Sequence, residues 1–345
     1  MTALPFGPYF SFLERRDAAG AVAHALALVD GGADPVDVLL DVVGRAQEQV
    51  GLRWAAGSWT VAHEHAATAI SESVALAVGA RIAAPADPLG HVILTCAERE
   101  WHGLPARLVG YCLQAAGWRT TFLGASMPAR QFARFLDDVD ADAVAISCSV
   151  AASLPAARRL IDAAREAGLP VLVGGGAFGP DDTRARALGA SGWAKDARAA
   201  AAVLDGLVAR GDLHSAATDR ARHAGADEHA EMVVRFAEFR ATARRSWLES
   251  PHSGPQDPAS QDPASQDPAS QDGGLFDDAI DHALHALSAA LLTDDPRLLR
   301  EASDWLTALF AARGEPAGAI PGLWLALHRT VGEPLPEAAR HLKSL

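Results

Sequence analysis

Apolar residues recur at helical spacing through the first quarter of the chain. Alanine, leucine and valine follow this spacing from about residue 18 to residue 84, with breaks at 30–35 (DGGADP) and 55–58 (AAGS). Glycine, proline and aspartate at these breaks favour turns between helices. The pattern therefore predicts a bundle of about four helices, which we assign to a first domain over residues 1–86.

The pattern changes near residue 90, where short apolar runs alternate with helical stretches. The runs cover residues 91–97, 119–125, 143–149 and 170–178, and the helical stretches cover 105–116, 128–137, 153–167 and 197–209. Such alternation is typical of a parallel sheet with right-handed crossovers and helices on both faces. We predict a doubly wound α/β domain, flavodoxin/Rossmann-like, over residues 87–215.

Helical spacing resumes near residue 225 and predicts a third, all-α domain over residues 225–345. Its first helix is expected at about 227–249, with Val233, Phe236 and Phe239 on one side, and later helices at about 275–292, 296–313, 320–330 and 336–343. Between them the unit Gln-Asp-Pro-Ala-Ser occurs three times in a row. Regular prolines without large apolar residues cannot build a core, so we expect a disordered insertion at 251–274.

Composition and charge narrow the classes of protein. A net charge of −13 on 345 residues disfavours binding of the whole chain to a nucleic-acid backbone. Apolar runs end well short of the roughly 18 residues that would span a bilayer, and no secretory signal pattern is recognisable. The cysteines, Cys96, Cys112 and Cys148, lack the paired spacing of a disulfide framework or zinc site. We expect a cytoplasmic protein without membrane or nucleic-acid partners.

Candidate chemistry lies where predicted strands of the second domain end. His102 follows the first strand, and Glu100 can accept the proton of one imidazole nitrogen, which leaves the other nitrogen for a metal. Ser147 ends the third predicted strand, and residues 174–176, three glycines, end the fourth. Ligands of open α/β sheets bind at this edge, and glycine allows a bulky ligand to approach. These residues predict a deep slot with an axial ligand at its mouth; solvated loop residues are the alternative.

The order and spacing of these motifs resemble the cobalamin-binding domains of methionine synthase, mutases and related proteins. The family pattern is Asp-x-His-x-x-Gly, then Ser-x-Leu, then Gly-Gly; the residues that correspond here are Glu100, His102, Ser147, Ser149, Gly174 and Gly175, and the neighbouring Gly103 and Gly176 are further candidate contacts. Pro105 and Ser149 depart from the family's glycine and leucine. The resemblance implies that His102 binds cobalt from below, in place of the cofactor's own benzimidazole, while the displaced tail enters the slot.

The first domain carries a second pattern, in which Trp54 is followed by nine residues and then by Glu64 and His65. This spacing resembles the helical cap of cobalamin photoreceptors. The resemblance implies adenosylcobalamin, because an indole can pack over the upper axial group and a carboxylate can accept hydrogen bonds from an adenosyl group. DNA-binding members have a histidine after the tryptophan, whereas this chain has Ala55, so His63, His65 or water would take that position. Trp59 is expected to be a core residue.

The three predicted domains together resemble the photocobilins, receptors that carry cobalamin beside biliverdin in a globin-like domain. No cysteine follows Cys148, so the biliverdin implied here would bind non-covalently. Its candidate contacts, by charge and by spacing on a helix, are Arg235, Arg240, Arg244, Arg245, His282 and His285. A solvated basic helix with surface histidines is the alternative.

The sequence thus predicts a light sensor rather than an enzyme. Photolysis of adenosylcobalamin would change the conformation and oligomeric state of a homo-oligomer, which would signal to an unidentified protein. Two alternatives remain open. One is a corrinoid methyl carrier of a methyltransferase system, and the other is a cobalamin sensor whose helical domain is a protein-interaction module or a haem globin.

Overall fold

The computed structural model describes residues 4–210, 224–249 and 272–345. The chain forms two compact units, Met1–Arg220 and Ala221–Leu345. Residues 251–271 of the predicted insertion lie outside the described residues. The prediction that the insertion extends to 274 is wrong, because residues 272–274 form the first turn of a 22-residue helix whose apolar stripe lies farther along the chain.

The N-terminal part of the first unit is helical, as predicted. It contains α1 (Gly7–Arg15), α2 (Ala18–Asp30), α3 (Pro35–Asp37), a π-helical segment Val38–Gly44, α4 (Arg45–Ala55) and α5 (Val61–Gly79). Because α3, the π-helical segment and α4 follow one another without a break, they act as one long helix, and the bundle has four rods. Local capping explains the starts: Asp17 accepts from the N–H of Gly20, and Asp34 accepts from that of Val36.

The helical bundle shares its core with the first helix of the α/β domain. Leu104 and Leu108 of α6 (Gly103–Ala115) belong to the same buried cluster as the bundle residues. Burial of each such leucine contributes roughly 1.5–3 kcal/mol, so the bundle and the α/β domain stabilise each other. Trp59 packs against this cluster and stacks on Phe10 with ring centroids 5.7 Å apart, which confirms that it is a core residue.

A five-stranded parallel sheet forms the centre of the α/β domain. Its strands are β1 (His91–Cys96), β2 (Arg119–Phe122), β3 (Ala143–Ser147), β4 (Val171–Gly174) and β5 (Gly192–Ala194), in the order β2-β1-β3-β4-β5. Besides α6, its helices are α7 (Ala129–Asp137), α8 (Leu154–Glu166), α9 (Thr183–Leu188) and α10 (Ala197–Arg210). The predicted doubly wound fold is confirmed, and its strand order reverses between β1 and β3. Neither β5 nor α9 was predicted.

The second unit is helical throughout its described residues. It contains α11 (Ala224–Val234), α12 (Phe236–Leu248), α13 (Asp272–Thr293), α14 (Arg297–Ala312), α15 (Ala319–Val331) and α16 (Pro336–Leu342). The single helix predicted at 227–249 is wrong, because the chain leaves helical geometry at Arg235, where ψ is 15°. Val233 is consequently 54% exposed, whereas Phe239 is buried. The globin-like arrangement remains a prediction.

The helices can also be judged as possible membrane spans. Within the three described ranges, none combines the length and apolar character that crossing a bilayer requires.

Candidate functional site

A cavity of about 370 Å³ opens at the carboxyl end of the sheet. Strands β1, β3, β4 and β5 supply one wall, α6 and the start of α10 supply another, and Leu40 and Glu48 of the bundle complete the lining. The volume lies within the range of small-molecule sites, and the position is the edge at which open α/β sheets bind ligands. Ser147 lies in this lining, as predicted for a slot beside the third strand.

The three predicted glycines line the cavity, but the backbone itself requires two of them. Gly175 has a φ of +99°, and a Cβ there would lie 2.3 Å from the carbonyl oxygen of Cys148. A Cβ at Gly174 would lie 3.1 Å from the carbonyl oxygen of Ala194, and one at Gly176 would meet Ser149 at 3.4 Å. Of the three positions, only Gly176 could accept a Cβ without a close backbone contact. Its lack of a side chain therefore matters mainly for the space in the cavity.

Glu100 and His102 form an acid and imidazole pair between β1 and α6, outside the residues that line the cavity. Nδ1 of His102 lies 2.5 Å from Oε1 of Glu100, whose side chain is 0% exposed, whereas the imidazole is 57% exposed. Because an ionised carboxylate only accepts, Nδ1 carries the proton and Nε2 keeps its lone pair. A neutral imidazole oriented by a carboxylate is a common arrangement of metal-binding histidines, so the pair fits a cobalt ligand.

The environment of the pair shifts the pKa values of the two partners in opposite directions. Burial disfavours ionisation of Glu100, but hydrogen bonds from His102 and from the backbone outweigh burial and lower the pKa of its carboxyl. The hydrogen bond to Glu100 raises the pKa of His102, against the opposing effect of burial. Burial raises the pKa of Cys96 to about 12, so this nearby thiol is protonated near pH 7.

Glu100 also ties two loops together. Its Oε2 accepts from the backbone N–H groups of Ser149, at 2.7 Å, and Val150, at 3.1 Å. Ser149 thus contributes to the site through its backbone. Gly103 begins α6 and is buried, but a Cβ there would make only ordinary contacts at 3.7 Å, so the fold does not require glycine at that position.

The residues predicted in the cap lie on two adjacent helices. Trp54 is half-buried near the end of α4, and Glu64 lies in the first turn of α5 with a side chain that is 24% exposed. Oε2 of Glu64 is 2.5 Å from Nδ1 of His65, and Oε1 accepts from the hydroxyl of Thr68 at 2.7 Å. The negative charge of Glu64 makes the smallest of the contributions that raise the pKa of His102, after those of Glu100.

The histidines of α5 differ in their surroundings. His63 forms a capping box with Thr60, whose hydroxyl lies 2.7 Å from Nδ1, while His65 is 74% exposed. Each therefore has its Nδ1 engaged in a local hydrogen bond and its Nε2 outside that bond.

The arginines proposed for a bilin have carboxylate partners. Arg235 pairs with Glu231 and Glu238 at 2.7 and 2.8 Å. Arg240 lies 2.5 Å from Asp281, and Arg244 lies 2.7 Å from Asp277, both on α13, whereas Arg245 donates to the hydroxyl of Thr242 at 3.2 Å. Three of the four arginines therefore form ion pairs within the protein, and both the bilin contacts and the solvated helix remain predictions.

The two histidines proposed for the bilin are half-buried and stacked on aromatic rings. His282 stacks on Trp305 with centroids 4.5 Å apart, and His285 stacks on Phe236 at 4.7 Å. Burial, with a smaller effect of His285, lowers the pKa of His282 to about 4, so His282 is neutral near pH 7. Both histidines are therefore partly shielded from solvent, and their contact with a bilin remains a prediction.

Several residues of the site were missed by the sequence analysis. Lys195 and Asp196 line the cavity directly after the unpredicted strand β5, and Glu48 reaches it from α4. Arg198 of α10 pairs with Asp37 at 2.7 Å and with Asp41 at 3.1 Å, which joins the α/β domain to the bundle. Recognition of a short fifth strand at 192–194 would have revealed the first two; the partners of Arg198 leave no local sequence signal.

Comparison with known proteins identifies the ligand class. Residues 90–202 match the sequence model of the B12 binding domain family, and residues 11–75 match a second model that is also described as a B12 binding domain. These matches cover the α/β domain and most of the bundle. Together with the slot, they show that the chain is a cobalamin-binding protein.

Individual relatives come from two kinds of cobalamin protein. Dimethylamine corrinoid protein 1 of Methanosarcina acetivorans is 26% identical over 161 residues, which is 45% of this chain and 76% of that protein. The HTH-type transcriptional repressor CarH of Myxococcus xanthus is 31% identical over 160 residues, which is 45% of this chain and 52% of that protein.

A solved structure supports the same fold. The monomethylamine corrinoid protein of Methanosarcina barkeri aligns with a TM-score of 0.51 at 18% identity, and the alignment covers 58% of this chain and 96% of that one. The predicted helical cap followed by a cobalamin-binding α/β domain is confirmed.

Proposed function

We propose that this protein is a light sensor that binds adenosylcobalamin between the helical cap and the α/β domain. The observation that carries the proposal is the carboxylate of Glu64, which Thr68 and His65 hold in place beside the helix that bears Trp54. Trp54 and Glu64 lie on adjacent cap helices at the spacing found in cobalamin photoreceptors. Similarity to CarH, a transcriptional repressor, supports a regulatory role rather than an enzymatic one.

The residues of the site have distinct roles in this proposal. His102 binds cobalt through Nε2, because Glu100 holds Nδ1 protonated. The slot lined by Ser147 and the glycines takes the nucleotide tail that His102 displaces. Gly103 permits close approach of the ligand at the start of α6, and the backbone of Ser149 holds Glu100 in place.

The cap residues recognise the upper face. Bound adenosylcobalamin supplies a cobalt–carbon bond that light breaks. Trp54 packs against the adenosyl group, and Glu64 accepts hydrogen bonds from its hydroxyl or amino groups. If that group left, these contacts would be lost, so the cap would relax and association between identical subunits would change. His65 would then keep a lone pair on Nε2, because its Nδ1 donates to Glu64, whereas Nδ1 of His63 accepts from the N–H of Thr60 and leaves the proton on Nε2.

Biliverdin in the second unit is a further part of the proposal. Neutral His282 and its neighbour His285, each stacked on an aromatic ring, form a half-buried surface of aromatic character that suits a pyrrole ring. Arg235, Arg240 and Arg244 would have to exchange their carboxylate partners for bilin propionates. Arg245, which donates to the hydroxyl of Thr242, would not have to break a described ion pair.

The receptor would act as a cytoplasmic homo-oligomer that signals to another protein without binding nucleic acid or membrane. The acidic net charge of −13 supports this choice of partners.

A corrinoid methyl carrier is the second candidate function. The similarity to dimethylamine corrinoid protein 1 favours it, because the alignment covers 76% of that protein, against 52% of CarH. A methyl carrier would need no pocket large enough for an adenosyl group. A methyl group would also offer Glu64 no hydrogen-bond donor.

An absorption experiment separates the two functions. The protein is made with adenosylcobalamin and biliverdin, and spectra and size-exclusion profiles are recorded in the dark and after green light. Loss of alkylcobalamin bands with a change in oligomer size is the expected result. A cobalamin spectrum that is stable to light or indifferent to the adenosyl group would favour the methyl carrier, and photolysis without a bilin band would remove biliverdin alone.

A further inference from the structure

A chain of hydrogen bonds links the two helices that bear the proposed upper-face residues. The side-chain amide of Gln47, on α4, donates to the hydroxyl oxygen of Thr68, on α5. The hydroxyl of Thr68 donates in turn to Oε1 of Glu64 at 2.7 Å, and the other carboxylate oxygen lies 2.5 Å from His65. Both oxygens of Glu64 are therefore held from the protein side.

The direction of this chain follows from chemistry. An ionised carboxylate only accepts hydrogen bonds, so Thr68 must donate its hydroxyl proton to Glu64. The lone pairs of that hydroxyl then face Gln47, which must present its NH₂ group rather than its carbonyl oxygen. The proton positions along the chain are thus fixed from Glu64 through Thr68 to Gln47.

The carbonyl oxygen of Gln47 shows that this arrangement has a cost. It is buried and, among the described residues, has no hydrogen-bond partner. A buried acceptor without a partner destabilises a fold, and such groups in folded proteins call for an explanation. Methionine has a similar shape without polar groups, so packing alone would be satisfied at least as well by that residue.

We propose that Gln47 and Thr68 are positioning residues that set the preference of the site for the upper axial group by fixing the carboxylate of Glu64. The inference rests on the proposed binding of adenosylcobalamin beneath the cap. A carboxylate that is free to rotate would spend less time in the orientation that accepts hydrogen bonds from an adenosyl group, whereas a methyl group offers no such donors.

The test is the ratio of the dissociation constants for methylcobalamin and adenosylcobalamin, measured in the dark on the full chain. Thr68→Val removes the hydroxyl at nearly constant shape and Gln47→Met removes the amide. We expect each to lower the preference for adenosylcobalamin by about tenfold, equivalent to about 1.4 kcal/mol. Thr68→Ser, the matched control, keeps the hydroxyl and should retain the preference. Gln47→Met should unfold at the same or a higher temperature than the wild type.

Glu64→Ala separates failure of this inference from failure of the proposed function. We call the hydrogen-bond chain from Gln47 through Thr68 to Glu64 the relay. If Glu64→Ala loses the preference while Thr68→Val and Gln47→Met keep it, the relay has no role and the proposed adenosyl site stands. If the wild type itself has no preference, the proposed function and the relay both fall. A loss in Thr68→Ser equal to that in Thr68→Val would also overturn the relay, because the hydroxyl would then be irrelevant.

Discussion

Nδ1 of His102 donates a hydrogen bond to Oε1 of the fully buried Glu100 across 2.5 Å. The other oxygen of Glu100 accepts from two backbone N–H groups of the loop after β3. A carboxylate with this many donors stays ionised despite burial, and its charge keeps the imidazole in one tautomer. The orientation of the proposed cobalt ligand is therefore set by a loop that lies 49 residues farther along the chain.

Glu100→Gln should weaken cobalamin binding by about 10- to 100-fold, the usual effect of removing the partner of a metal-binding histidine. The amide carries no charge, and its NH₂ group would face either the two backbone N–H donors or the Nδ1–H of His102. Absorbance titration in the dark measures the change. Glu100→Asp is the matched control and should bind more tightly than Glu100→Gln, since it keeps the charge. Equal affinity of wild type and Glu100→Gln would remove the pair from the site.

Gly175→Ala should destabilise the first unit more than Gly124→Ala does. Both glycines have positive φ, +99° and +94°, so an alanine is strained at either position. Only at Gly175 would the new methyl group meet a backbone oxygen, at 2.3 Å, whereas nothing lies within 4 Å at Gly124. Strain costs roughly 1–3 kcal/mol in both, and the clash adds to it at Gly175. Urea midpoints measure the difference; matching midpoints would contradict the described loop.

Arg198→Gln should loosen the attachment of the bundle to the α/β domain. Arg198 is about half exposed, so loss of its pairs with Asp37 and Asp41 should lower the free energy of unfolding by at most about 1 kcal/mol. Hydrogen exchange should quicken in the π-helical segment 38–44. Arg186→Gln breaks an exposed pair within α9 and should leave that segment unchanged. Similar exchange in both variants would show that the pairs do not hold the bundle.

The second unit should lose stability as the pH falls from 7 to 5. The pKa of His282 is lowered to about 4 in the folded chain, so the unfolded chain binds this proton first and gains stability below about pH 6.5. For a fully effective shift the loss is about 2 kcal/mol by pH 5. Chemical unfolding monitored by fluorescence should show this decrease in the wild type and a smaller one in His282→Phe. The same pH dependence in both would exclude His282 as the cause.

The sequence predicted the four strands that contain longer apolar runs but missed β5, the short strand at the edge of the sheet. The runs that became β1, β2, β3 and β4 have several consecutive apolar or β-branched residues, which give a clear signal. Strand β5 has three residues and is a strand because it pairs with β4. Lys195 and Asp196, which follow it, could not be assigned to the site without that pairing.

Side-chain partners were the second limit of sequence analysis. Spacing placed Glu100 beside His102, because a short local turn brings them together. It could not show that Arg240 pairs with Asp281, because that contact joins residues 41 positions apart on different helices. The relay from Gln47 through Thr68 likewise needs two helices at a known distance and rotation.

The π-helical segment Val38–Gly44 sets the rotational phase of the long cap helix. A stretch wound more loosely than an α-helix turns every later residue about the axis, by on the order of 100° for each extra residue that it accommodates. Asp37 lies before this stretch, while Gln47 and Trp54 lie after it. One rod therefore presents its acidic residues to Arg198 at one end and Trp54 and the amide of Gln47 at the other. Rewinding of this segment into a regular α-helix would rotate one set away from its partners. The segment therefore fixes the angle about the helix axis between the residues that bind Arg198 and the face that bears Gln47 and Trp54.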